Sequence, residues 1–130
     1  MEALQQIQTA IASFAGYGNV DQRRVSDEQV RAYVGERLAL LPQPEIDRLD
    51  AQERGRYDRA LLRVEFVNLH GFDDFNLAAS PQRIDAVARA DAAVLTAANA
   101  LMTAEAGNLG AALALLEAAL DARDAAMEVH

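Results

Sequence analysis

Apolar residues recur along this chain at intervals of three and four, the spacing of one face of a helix. Leu4, Ile7, Ile11 and Phe14 form the first such stripe and predict a helix over residues 2–15, stopped by Gly16 and Gly18. A polar loop over 19–24 follows. Ser26 and Gln29 then have the spacing of a capping box, with Val25 and Val30 as its hydrophobic staple. Val30, Tyr33, Val34, Leu38 and Leu41 continue as a buried stripe until Pro42 and Pro44 end the helix.

Pro44 opens a short turn containing Ile46 and Leu49. Asp50 and Glu53 form a second capping-box pair and start a helix over about 51–70. Gly55 weakens its first turns, and one continuous helix over 44–70 is the alternative. Its second half is strongly apolar, wider than one stripe: Leu61, Leu62, Val64, Phe66, Val67 and Leu69. That width predicts a central helix contacted on more than one side. Gly71 ends it, and residues 71–77 read as a loop carrying Phe72, Phe75 and Leu77 beside two aspartates. The loop either folds back to plug the bundle or presents its phenylalanines to a partner.

Ser80 and Pro81 are the N-cap and N1 signals of the next helix. Ile84, Val87, Val94, Leu95, Ala98, Leu101 and Met102 supply its apolar side. Asp91 falls near that side, either at the seam edge or buried and in need of an arginine or backbone partner. The helix is expected to stop near Gly107. Leu109, Leu113, Leu116 and Leu120 form the last stripe, extended by Met127. Both terminal helices are dense in alanine, which favours helix and allows close backbone approach. The expectation is an all-α chain. It is a small antiparallel bundle of four to five helices in one domain over 1–130. A three-helix part with an apolar loop covers 1–77, and an alanine-rich helical hairpin covers 78–130.

That hairpin is similar in spacing to a single tetratricopeptide repeat through Ala100, Gly107, Leu109, Ala112, Leu116 and Ala119. It departs from the pattern at Thr96, Asn99 and Thr103. It occurs once, where a solenoid needs about three copies. The likeness therefore implies a helical hairpin and nothing about partners.

Charge and composition narrow the chemistry. The 130 residues carry 20 acids and 12 bases, a net charge of −8, with no cysteine. Thiolate metal sites and cysteine nucleophiles are excluded. Every base is arginine, so Schiff-base and P-loop lysine chemistry are excluded too. The acidic balance disfavours nucleic acid and anionic membranes. The first residues lack the basic and apolar regions of a signal peptide, and no stretch is apolar enough to span a bilayer. Cytoplasm is the default location.

Candidate chemistry is thin. His130 ends the chain, and His70 reads as a basic residue at a helix C-terminus. Glu65 and His70 are five apart, and no Glu-x-x-His occurs, so a di-iron bundle site is not indicated. Gly16-Tyr17-Gly18 follows no strand and reads as a helix terminator. The expectation is no catalytic set, no metal and no cofactor.

The partner-binding candidates are Arg56, Arg59 and Arg63, one turn apart on one helix, with Phe72 and Phe75 in the loop. Arginine forks suit carboxylates and phosphates, while the plainer reading is a solvated face with local ion pairs. Together these features point to a non-enzymatic protein-interaction module: an adaptor, regulator or small chaperone that binds another protein or itself as a homodimer. The alternatives are a small-ligand domain, with Tyr17, Tyr33, Tyr57 and the arginines at its mouth, and a helical subunit of a nucleic-acid-associated complex.

Overall fold

A computed structural model describes residues 2–104 and 107–128; His130 lies outside them. Seven helices occur among the described residues: α1 (Glu2–Ala10), α2 (Val20–Ala39), α3 (Gln43–Asp47), α4 (Ala51–Glu65), α5 (Leu69–Leu77), α6 (Pro81–Thr103) and α7 (Leu109–Met127). The all-α expectation holds. The count of four to five does not, because residues 71–77 are helical and Pro44 opens a helix rather than a turn.

Three boundaries moved for local reasons. α1 ends at Ala10, not near residue 15, because the chain turns to send Phe14 and Tyr17 into the core. α2 begins at Val20, where Asn19 Oδ1 accepts from Gln22 N at 2.8 Å. Ser26 and Gln29 therefore sit inside α2 and do not cap it. They clasp the preceding loop instead. Ser26 Oγ donates to Gly16 O at 2.6 Å, while Gln29 accepts from Ala15 N and donates to Ser13 O, each at 2.9 Å. Gly16 has φ +83°, a left-handed conformation that favours glycine.

The capping box at Asp50 and Glu53 forms as expected. α4 nevertheless ends at Glu65, where Phe66 turns extended, and Asn68 caps α5 by accepting from Gly71 N at 3.0 Å. Gly71, expected as a terminator, is buried inside α5, with Met127 of α7 close behind it. His70 accordingly lies in the first turn of α5, not at a helix C-terminus.

The centre of the molecule is α6, which packs against α1, α2 and α7. It buries Val87, Ala88, Asp91, Ala92, Val94, Leu95, Ala98 and Leu101. α6 and α7 run antiparallel: Arg83 near the start of α6 donates to the carbonyls of Met127 and Glu128 at the end of α7. Ser80 caps α6 by accepting from Arg83 N, as its sequence indicates. α4 lies outside this pair, across α2 and α7. Its only buried side chain is Ala60, so the expectation that α4 is a central helix is overturned. Its broad apolar half faces outward.

Candidate functional site

The outward half of α4 and the link into α5 carry the largest concentration of bare apolar side chains in sequence. Leu62 is 56% exposed, Phe66 64% and Leu69 64%, with Leu61 and Val67 at 36%. Beside them, α2, α4 and α7 enclose a cleft of about 260 Å³. Its apolar walls are Val30 and Val34 of α2, Leu62 and Val64 of α4, Phe66 and Val67 of the link, and Leu120 of α7. Arg31, Arg63, Asn68, Arg123 and Asp124 supply its polar lining.

α4 packs against α2 beside the cleft. At this crossing Val64 lies 3.6 Å from the position a Cβ on Gly35 would take, an ordinary van der Waals separation. Where α4 stops, Phe66 turns extended, and Val67 and Leu69 remain beside Arg24 and Arg31 of α2.

Beneath the cleft is a buried charge network joining three helices and the first loop. Arg123 of α7 donates from Nε to Asp91 Oδ1 and from Nη2 to Asp27 Oδ1, the latter at 2.7 Å. Asp91 Oδ2 accepts from the Tyr17 hydroxyl at 2.5 Å. Asp27 Oδ2 accepts from Arg31 Nε at 2.9 Å, and Arg31 Nη1 donates to Val64 O at 3.2 Å. Asp27, Asp91 and Arg123 are buried.

Burial alone would lower the Arg123 pKa, but Asp91 and Asp27 outweigh it and hold the guanidinium more firmly protonated than usual. Burial first, then the charge and hydrogen bond of Asp91, push the Tyr17 hydroxyl well above the ordinary phenol value. Desolvation is expensive for each ion here, so the pairing offsets a cost as much as it adds stability.

The sequence candidates fall in different places. Arg59 reaches Glu117 of α7 at 2.9 Å, Arg56 reaches the same carboxylate at 3.9 Å, and Arg63 reaches Asp121 at 2.7 Å and Asp124 at 2.8 Å. The arginine row is therefore an ion-pair seam between α4 and α7, which run parallel. The hydrogen bond to Glu117 raises the Arg59 pKa against an opposing desolvation. Phe75 is buried, edge-on to Tyr17 with ring centroids 6.2 Å apart and with the Arg23 guanidinium 5.6 Å above it. Phe72 is half-buried at the side of a smaller cleft of about 120 Å³ that also touches Arg31, Val67 and Leu69.

The three tyrosines do not share a mouth. Tyr17 is buried against Asp91, Tyr33 donates to Asn99 at 2.8 Å, and Tyr57 lies beside Arg54. His70 is an exposed side chain with Asp74 at 3.5 Å. Among the described residues no group of three or more His, Asp or Glu could hold a metal ion, and no helix is long and apolar enough to cross a membrane.

Asp91 was visible in the sequence as an acid on an apolar stripe. Arg123 could have been found the same way, since it falls three after Leu120 and four before Met127. Asp27 likewise precedes Val30 by three and Val34 by seven. Nothing in the sequence showed that these residues meet across three helices. No known family model, curated protein or solved structure matches this chain.

Proposed function

We propose that this chain is a non-enzymatic protein-interaction module, and that its docking face is the corner between α4 and α5. The observation that carries the reading is the bare apolar cluster of Leu62, Phe66, Val67 and Leu69 beside a cleft. Contiguous apolar surface of this kind marks interaction sites in water-exposed proteins. Covering it contributes at most about 1.5–3 kcal/mol per side chain, and aromatic anchors in such a patch carry a large share of binding energy.

The arginine row does not enter this proposal, because its guanidinium groups already meet carboxylates of α7. The same pairing removes support from a nucleic-acid role, which would want arginines without acidic neighbours. A small-ligand reading of the cleft has its enclosed volume in its favour. At about 260 Å³ it falls below the roughly 300–1,000 Å³ of drug-sized sites, so it ranks second.

The test is native mass spectrometry of the protein purified from its own cells, beside a Phe66→Asp variant expressed there in the same way. Phe66 is exposed, so the variant should keep its helical circular dichroism. A partner protein held by the unaltered chain and missing from the variant supports the docking face. A dimer that the variant loses identifies a second copy as the partner. A partner retained equally by both, or a bare monomer in both, overturns it.

A further inference from the structure

The cleft carries information about what lodges in it. Arg31 spends Nε on Asp27 and Nη1 on Val64 O; Arg123 spends Nε on Asp91 and Nη2 on Asp27. Arg31 Nη2 and Arg123 Nη1 have no protein acceptor among the described residues. Neither is sealed, since the sole walled-off side-chain nitrogen or oxygen without a partner there is Arg83 Nε. Both arginines line the cleft, and their side chains are only 17% and 6% exposed. Two largely buried arginines beside an apolar recess thus keep N–H groups that no protein acceptor uses.

Charge decides which acceptor suits them. The three arginines that line the cleft, Arg31, Arg63 and Arg123, are already matched by three carboxylates, Asp27, Asp91 and Asp124, and leave no net positive charge there. A carboxylate or phosphate entering here would add an uncompensated anion in a poorly hydrated place, which is costly. A neutral carbonyl would satisfy the donors without that cost. The protein already pairs Arg31 with such a group, the backbone carbonyl of Val64.

We infer that the cleft binds an uncharged peptide segment of a partner protein, which seats one apolar side chain against Leu62, Val64 and Val67 and offers backbone carbonyl oxygens to Arg31 and Arg123. The recess, at about 260 Å³, has room for a side chain and its flanking peptide groups rather than for a cofactor. This inference rests on the docking reading above and adds the chemistry of the occupant.

The experiment compares two probes on the unaltered protein: N-acetyl-leucine methylamide, with an isobutyl group and two neutral carbonyls, and 4-methylpentanoate, with the same isobutyl group on the methylene of an acetate. Side-chain N–H signals of Arg31 and Arg123, and methyl signals of Leu62 and Val67, are followed by nuclear magnetic resonance titration. The amide should move both sets and bind at least about fivefold more tightly than the acid, the worth of one net hydrogen bond. Arg31→Met, which keeps an apolar stem and removes the donors, should weaken the amide by about fivefold.

Tighter binding of the acid would overturn the inference in favour of an anion site. So would amide binding that moves the methyl signals but not the arginine signals, or no binding of either probe. The unaltered protein decides the matter even if Arg31→Met fails to fold. The docking reading fails separately: it falls if partner binding survives Phe66→Asp, whatever the probes do.

Discussion

Replacing Arg123 with methionine tests the buried network most directly. Methionine fills much of the volume of the arginine stem and removes its charge. Asp27 keeps Arg31, but Asp91, at 1% exposure, keeps only the Tyr17 hydroxyl. Removing one partner of a buried ion pair costs about 3–5 kcal/mol, because the other charge is stranded. Spread over 130 residues, an unfolding entropy of about 2.1 cal/mol/K per residue turns that into a fall in Tm of roughly 10–20 °C.

Urea unfolding at pH 7, followed by circular dichroism, measures the loss. A second substitution locates its cause. Arg123→Met with Asp91→Asn removes the stranded charge while the amide oxygen still accepts from Tyr17. The double variant should recover most of the stability. A single-variant loss under about 1 kcal/mol would refute the stranded-charge argument. A double variant no more stable than the single one would assign the loss to packing.

Two further predictions use the same core. Tyr17 keeps its proton in the folded state above the ordinary value of 10, whereas the unfolded chain releases it there, so stability falls as pH rises past about 10. This one group contributes a slope of up to about 1.4 kcal/mol per pH unit, and urea midpoints at pH 9 and 11 should drop further in the unaltered protein than in Tyr17→Phe; parallel drops would refute it. Phe75→Ala should cost about 3–5 kcal/mol because that ring is buried, whereas the half-buried Phe72 should cost under about 2 kcal/mol; equal losses in urea unfolding would refute the distinction.

The local signals in the chain were uneven guides. The Asp50–Glu53 box, the Ser80-Pro81 start and the leucine stripe of α7 depend on neighbours within one or two turns, and each formed where the sequence placed it. The Ser26–Gln29 spacing is equally local in appearance, yet its side chains bond to a loop 10 and 16 residues away. A donor takes the acceptor that folding brings to it, and spacing along the chain does not include that choice. Residues 71–77 resisted reading because a glycine and two aspartates argue against helix, while packing of Phe75 under Tyr17 and of Gly71 against Met127 favours it.

The candidate site shows the same division. Arg56, Arg59 and Arg63 were correctly placed on one helical face, but whether that face met solvent, a partner or α7 depended on where Glu117, Asp121 and Asp124 came to lie. Leu62, Phe66 and Leu69 were legible as apolar, and apolarity alone suggested burial. Their exposure follows from α6 taking the centre, with α4 left at the periphery.

By itself the sequence determined that this chain is helical, that its bases are all arginine, and that cysteine and lysine chemistry are absent. Periodicity, capping and residue identity act over a turn or two, so they can be read along one dimension. The tertiary structure alone decided which apolar surface stays bare, which ions meet in the core, and that Arg31 and Arg123 come to line one cleft. Those outcomes depend on contacts between residues tens of positions apart, where many packings satisfy the same stripes and only the arrangement in space selects among them.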